Sequence, residues 1–430
     1  MLTKRALRLN CISNSKISTN IMKNFFKVKD LETVLNYRAQ FPRVEIETVP
    51  LPETVGRVLA EDIIADDDLP DFPRAIVDGY AVQGASTFGS SEGNPAYLTV
   101  TGSIAMGESP ELTIGPGEAA QIATGGMLPR GADSVVMIEH TEAIDDTTIE
   151  VYRSVAPGQN MIATGEDIKK QACVIRQGQT IRPQEAGLLA ALGRQKAAVY
   201  QKPAIGIIST GDEIVPVNET PSRGQIRDIN TYTLSGLIHQ AGAIAISYGI
   251  IGDNFENLFE KCRHALDRCH MILISGGSSV GARDFAVEAI SALPDAQILV
   301  HGISISPGKP TILAKVQNKA FWGMPGHVVS AMIVFSRVVK PFIEHIGGKS
   351  DGKTKELRLQ AKLSRNVASA QGRVDFIRVQ LRVDGGQLWA DPVLGKSGLI
   401  STMVNADGLI QIDINTEGLE KGTVVEVIPI

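Results

Sequence analysis

Carboxylates stand close behind glycine-rich turns at several points of this chain. STGDE (209–213) carries Asp212 and Glu213, IRDIN (226–230) carries Asp228, and SGGSSVGARD (275–284) ends on Asp284. A third glycine turn, GMPGHVVS (323–330), contains Pro325 and Gly326. Glycine lets a backbone approach a ligand closely, and free N–H groups at the start of a following helix attract phosphate. Thr210, Ser275, Ser278 and Ser279 add hydroxyls to the same turns. A hard cation such as Mg²⁺ takes oxygen ligands beside phosphates, which is what the neighbouring carboxylates offer. Any one of them alone would serve as a helix cap or a solvated charge. Several at one place suit a metal bridging to a phosphorylated ligand. SPGKPT (306–311) adds a fixed cation, because Pro307 and Pro310 stiffen the short loop that carries Lys309. Two further stretches, IVDGYAV (76–82) with Asp78 and IATGGMLPRGADSVV (122–136) with Thr124, read as a turn and a loop, and spacing alone takes them no further.

These residues need a scaffold, and 430 residues are too many for one core. Residues 1–27 are basic and rich in Ser and Asn, without the continuous apolar stretch of a secretory signal; a disordered tail is expected there, with Met22 as an alternative start. A helix is expected over 26–40, with Asp30 in its early turn. The N-terminal region, 28–200, contains a β-rich subdomain inserted at about 66–156, where short apolar runs alternate with Gly and Pro, and a helix at 183–193. From 201 to 348 the pattern becomes strand, glycine turn, helix, repeated, which predicts a mostly parallel α/β domain. Its three glycine-rich exits then lie together at the carboxyl edge of the sheet, where such folds bind ligands. After the linker GGKSDGKTKE, residues 356–430 read as a small barrel-like β domain.

Composition narrows the function classes. With 43% hydrophobic and 21% charged residues and no apolar run of spanning length, the chain is expected to be globular and not membrane-spanning. A net charge of -5 argues against a general nucleic-acid binder. Four scattered cysteines without a CxxC indicate a reducing cytoplasm, and Cys262 and Cys269 read as small buried hydrophobes. The seven histidines show no HxH or HxxxH, so no zinc site is expected.

With the pieces in this order, the chain resembles the molybdopterin molybdenumtransferases, the family of bacterial MoeA and the gephyrin E-domain. VDGYAV, IATGGMLPRGADSVVMIE, PGQN…GEDI, STGDE, IRDIN, SGGSSVGARD, PGKPT, GMPGHVVSAM and the closing KGTVVEV carry the likeness from about Val28 to the C-terminus. The resemblance implies the last step of molybdenum cofactor synthesis: Mg²⁺-assisted insertion of molybdate into adenylylated molybdopterin, with release of AMP. It implies that Asp78, Thr124, Glu185 (in PQEAG), Asp228 and Asp284 are the catalytic positions, with Asp228 and Asp284 at the metal. It places Thr210, Gly211, Asp212, the loop of Ser275, Gly276, Gly277, Ser278, Ser279 and Gly281, then Pro307, Gly308, Lys309, Pro325 and Gly326, around the bound pterin. It further implies a homodimer in which Asp78 and Thr124 complete the partner's site, an upstream adenylyltransferase, and recipient molybdoenzymes. The chain departs from the family where basic residues are common, at Ser306 and Gly302, and also at Ala75, Val77, Met161 and Ile162. A less positive oxyanion end is expected from the first two. Two other readings stay open: a molybdopterin adenylyltransferase, which resembles the α/β domain alone, and a non-enzymatic gephyrin-like scaffold.

Overall fold

In the computed structural model residues 28–276, 280–350 and 356–430 are described, the side chains of 280–284 excepted. The tail expected at 1–27 lies outside them. The first helix is shorter than its apolar spacing suggests, because Asp30 caps it rather than riding in it. The Asp30 carboxylate accepts from Thr33 N at 2.7 Å, so the helix runs only Leu31–Asn36 before a 3₁₀ turn, Tyr37–Gln40. Lys29, just upstream, is extended and bridges to Ile303 of the α/β domain.

The N-terminal region climbs outward through three antiparallel ribbons. Ile46–Pro50 pairs with Lys196–Tyr200, Ile63–Ile64 with Cys173–Ile175, and Arg74–Ala75 with Met161–Ile162. Leu59, Ile181, Leu189 and Val199 form the core of this stem. At its end sits a six-stranded sheet in the order Ser134–Met137, Gly79–Val82, Glu118–Ile122, Ala96–Ser103, Thr148–Val151, Thr141–Ala143. Side chains alternate across its faces: Ala81, Ile122 and Val135 pack on one side, Val82, Val136 and Leu98 on the other. The sheet's strands, 79–151, fall in the β-rich stretch read from the sequence at about 66–156.

The α/β domain has six strands in the order Ile244–Ile251, Ala204–Thr210, Met271–Gly276, Lys319–Met324, Ile312–Val316, Gln297–His301. The first four are mutually parallel, and Ile312–Val316 runs against both of its neighbours. The near-continuous apolar strands belong to a sheet covered on both faces. Ile207, Leu273 and Trp322 meet the helix Asn230–Gln240 and the helical run 328–346, whereas Ile208, Ile272 and Phe321 meet Phe255–Arg268 and Val280–Ser291. Cys262 and Cys269 are buried in the second core, where burial pushes the Cys262 thiol up to about 12.

The C-terminal strands close on themselves. Val374–Asp384, Gln387–Pro392, Leu359–Leu363, Val424–Pro429 and Gly408–Ile412 form a five-stranded barrel, the last pairing back to the first. The short strand Ile305–Ser306 of the α/β domain pairs in parallel with its start, Ile305 opposite Val374 and Ser306 opposite Asp375. The loop of Pro307 and Lys309 is therefore stitched to the barrel at its base.

An aromatic relay joins the first helical turn to the α/β core. Phe342 meets Trp322 edge-on at 5.0 Å between ring centroids and Phe41 at 5.8 Å. Phe342 and Trp322 are completely buried. Phe342→Ala should cost about 3–5 kcal/mol, read as a lowered urea midpoint by far-UV circular dichroism; an unchanged midpoint would remove the relay from the core.

Candidate active site

The carboxyl edge of the parallel strands is fastened by one residue at the start of the helix Asn230–Gln240. Asn230 Nδ2 donates to Ser275 Oγ at 2.7 Å and to the Gly326 carbonyl at 2.9 Å. It thus ties the exits of Met271–Gly276 and Lys319–Met324 together. Asn230 is 8% exposed, and its Oδ1 is buried with no hydrogen-bond partner among the described residues. Asp228, two residues earlier, accepts from Thr231 N at 3.1 Å and from Thr231 Oγ1 at 2.6 Å. Thr231 Oγ1 in turn lies 3.0 Å from Ser209 Oγ, on the strand that ends at Thr210. Gly276 is required at its exit: with φ +132°, a Cβ there would sit 1.9 Å from the Thr210 carbonyl oxygen. Gly211 N donates to the Ile251 carbonyl at 3.1 Å, and Asp212 Oδ1 accepts from Asp253 N at 3.0 Å. Thr210, Gly211, Asp212, Asp228, Ser275, Gly276 and Gly326 therefore belong to one edge of one sheet. Gly277, Ser278 and Ser279 lie outside the described residues. Gly281 and Asp284 fall on the helix Val280–Ser291, but their side-chain positions are outside the description too.

Beside this edge opens a cavity of about 400 Å³. Its walls include Gly276, the turn Ser306, Pro307, Gly308, Lys309, Pro310, and the turn Met324, Pro325, Gly326, His327. Arg373 and Ser397 of the barrel complete it. Among the described residues no carboxylate lines the cavity, and Lys309 and Arg373 favour an anion there. Arg373 is held by Asp375, Nε to Oδ1 at 2.9 Å, and Ser369 Oγ also donates to Asp375, at 2.8 Å. Gly302 takes no part in the cavity wall; it packs under Val28, and its carbonyl accepts from Lys29 N at 3.0 Å. Ser306 does line the cavity, where Arg373 of the barrel stands with Lys309. Arg373, Ser397 and His327 escaped the sequence reading. For the barrel residues no local signal existed, since only the pairing of Ser306 with Asp375 brings them in; His327 was visible in GMPGH, directly after Gly326.

Asp78 and Thr124 meet on the inserted sheet. Gly79 pairs with Ile122, which brings the residue before one strand beside the turn after the other. The Asp78 carboxylate accepts from Thr124 N at 2.7 Å and from Thr124 Oγ1 at 2.8 Å. Gly79 must be glycine, because a Cβ there would sit 1.8 Å from the Val136 carbonyl oxygen. The pair is exposed, and no hydrogen bond or cavity wall joins it to the α/β edge of its own chain among the described residues. Glu185 stands apart from both groups. It is the third residue of the helix Pro183–Ala191 and accepts from Arg182 N at 2.9 Å and from Gln179 Nε2 at 3.2 Å, with the Arg182 guanidinium beside it. That is a helix-capping arrangement, and the Arg182 hydrogen bond holds the carboxyl below the usual range.

Among the described residues no cluster of three or more His, Cys, Asp or Glu could hold a metal ion by itself. Mg²⁺, however, is commonly bound by one or two carboxylates together with waters and substrate phosphates. The Asp228 oxygens, each accepting one hydrogen bond from Thr231, retain lone pairs for such a ligand. The donor set is compatible with Mg²⁺.

Known proteins with this arrangement are similar over the whole described chain. Residues 28–193 match the family "MoeA N-terminal region (domain I and II)", residues 206–345 match "Probable molybdopterin binding domain", and residues 360–430 match "MoeA C-terminal region (domain IV)". A putative molybdopterin biosynthesis protein of Methanocaldococcus jannaschii is 35% identical over 95% of this chain and 98% of its own length. The chain belongs to the MoeA family. The molybdopterin molybdenumtransferase of Bacillus subtilis is 32% identical over 89% of this chain and 90% of its own. The crystal structure of the molybdopterin biosynthesis MoeA protein from Pyrococcus horikoshii OT3 superposes with a TM-score of 0.81 at 32% identity, covering 94% of this chain and all of that one. The MoeA architecture expected from the motifs, a central α/β domain between a β-rich region and a closing barrel, is thereby borne out.

The Asp78–Thr124 pair makes a prediction about charge. The Thr124 amide first and its hydroxyl second hold the Asp78 carboxyl below its ordinary value. The contact is complete above the ordinary carboxylate range and is lost as pH falls through the depressed value. Thr124→Ala removes only the hydroxyl, so the Asp78 titration by ¹³C NMR should move up yet stay below ordinary; no upward movement would contradict the contact.

Proposed function

We propose that this chain is a molybdopterin molybdenumtransferase, inserting molybdate into adenylylated molybdopterin with release of AMP. The observation that carries this reading is the anion-favouring cavity at the carboxyl edge, lined by both the α/β domain and the barrel, in a chain whose three regions all match MoeA. Arg373 and Ser397 favour it over the adenylyltransferase reading, since an α/β domain alone would lack them. A scaffold would have no use for such a cavity.

In this reading Lys309 and Arg373 hold the anionic end of the ligands, and the backbone near Gly276 and Gly326 approaches the pterin phosphate. Asp228 and Asp284 would hold Mg²⁺, which would supply charge to offset that on the phosphoanhydride. The ammonium and guanidinium sit where negative charge gathers as AMP departs, and the walls of the cavity limit access of bulk water. The acting unit is a homodimer in which Asp78 and Thr124 complete the partner's site. Supporting this, Ile76, Met106 and Ile138 are 47%, 58% and 45% exposed in the turns beside the sheet that carries Asp78 and Thr124. Near Asp228, Ile226 and Tyr232 are likewise 56% and 59% exposed. Two apolar rims around complementary halves of a site suit burial against each other. We place the enzyme in the cytoplasm, between an adenylyltransferase and the molybdoenzymes that receive the cofactor; no helix among the described residues is long and apolar enough to cross a membrane.

Mixing tests the shared site. Asp78→Asn and Asp284→Asn chains should each be folded and inactive in molybdate-dependent AMP release, and a heterodimer of the two should regain one working site. Purified heterodimers with no activity would refute the cross-subunit assignment.

A further inference from the structure

A histidine stands where the α/β domain meets the barrel. His327 lines the cavity at the end of the Pro325–Gly326 turn, and its Nδ1 lies 2.7 Å from Ser397 Oγ of the barrel. The loop carrying Ser397 is built to hold that position. Its Ser397 carbonyl accepts from Val329 N at 3.0 Å. Beneath the loop lies Arg378, 9% exposed, whose guanidinium donates to the Gly395 carbonyl at 2.8 Å and to Thr402 Oγ1. No carboxylate pairs with Arg378 among the described residues, and burial alone pushes its pKa down. A buried guanidinium is costly to keep, and here its bonds go to the two ends of the segment that carries Ser397.

This has a chemical consequence for the imidazole. When the Ser397 hydroxyl donates to Nδ1, the ring proton belongs on Nε2; when the ring is charged, Nδ1–H donates to Oγ and Nε2 is still protonated. In both of these states Nε2, which has no described hydrogen-bond partner, is a donor on a ring that forms part of the cavity wall; only the neutral Nδ1–H tautomer would make it an acceptor. The charged groups around the same cavity are Lys309 from the proline-stiffened turn and Arg373, braced by Asp375, from the barrel. A third donor here would complete a set drawn from three separate segments.

We propose that His327, oriented through Nδ1 by Ser397, is a binding residue for a tetrahedral oxyanion in this cavity, donating from Nε2 beside Lys309 and Arg373. Ser397 is then a positioning residue, and the barrel serves the site by fixing a ring on the neighbouring domain. The inference rests on the molybdenumtransferase reading for the identity of the anion, molybdate or a substrate phosphate, though not for its chemical class.

Isothermal titration of the full-length protein with sodium molybdate and, separately, inorganic phosphate tests it. His327→Ala should weaken binding about three- to tenfold, the loss of one net hydrogen bond. Ser397→Ala should weaken it less, and Ser397→Thr, which keeps the hydroxyl, should restore it. Thermal midpoints should not move, since His327 is exposed. In the unsubstituted protein, long-range ¹H–¹⁵N spectra should show the His327 proton on Nε2 and a shift of that nitrogen on adding phosphate. Wild-type affinity for both anions in His327→Ala, or a His327 signal indifferent to phosphate, overturns the proposal. If phosphate binding depends on His327 but no molybdenum transfer occurs, the enzymatic reading fails and the binding inference stands. If transfer occurs while His327→Ala binds both anions normally, only the inference falls.

Discussion

One side-chain amide decides the shape of the ligand edge. Asn230 has two N–H donors on Nδ2 and spends both, on the Ser275 hydroxyl and on the Gly326 carbonyl. Those acceptors leave different strands, and the helix that starts at Asn230 supplies the third point of the fastening. A buried amide bonded in this way has one rotamer that satisfies both partners, so the two exits cannot drift apart independently. Gly276 approaches Thr210 more closely than any side chain permits, which sets the strand of Thr210 in the same frame.

From that edge the electrostatics follow. Among the described residues the cavity beside it draws cationic side chains from two domains and no carboxylate, although the chain as a whole is acidic at -5. Local arrangement overrides net charge, as it must where an anion is to be captured from water. Parallel pairing of Ser306 with Asp375 supplies the geometry: it sets the proline-stiffened turn of Lys309 alongside the barrel strand that begins with the Arg373–Asp375 pair. The carboxylates of the edge, Asp212 and Asp228, are spent on main-chain and hydroxyl donors close by and lie outside that wall. The cation-lined cavity and the carboxylate edge are thus two neighbouring but distinct surfaces.

Much of this was legible in the chain. Alternating apolar runs and glycine turns announced the α/β domain, the inserted sheet and the closing β domain, because strand burial and turn chemistry are local. The first helix was over-read, since its apolar spacing continues upstream of Asp30 while capping by Asp30 stops it. Asp78 and Thr124, 46 residues apart, looked like two separate turns; only the register of Gly79 against Ile122 makes them a pair. Glu185 read as a site residue from family likeness, yet its local bonds are those of a helix cap. Arg373 and Ser397 were invisible for a physical reason: their place in the cavity depends on how a barrel docks on another domain, and no short pattern of residues encodes that.

The most direct measurement counts products from the unsubstituted protein. Purified chain is incubated with adenylylated molybdopterin, Mg²⁺ and molybdate, and AMP is quantified together with molybdenum bound in active cofactor. The account predicts AMP and active cofactor appearing in equal amounts, both dependent on molybdate. AMP release that does not depend on molybdate, or no product at all from folded protein, would contradict it.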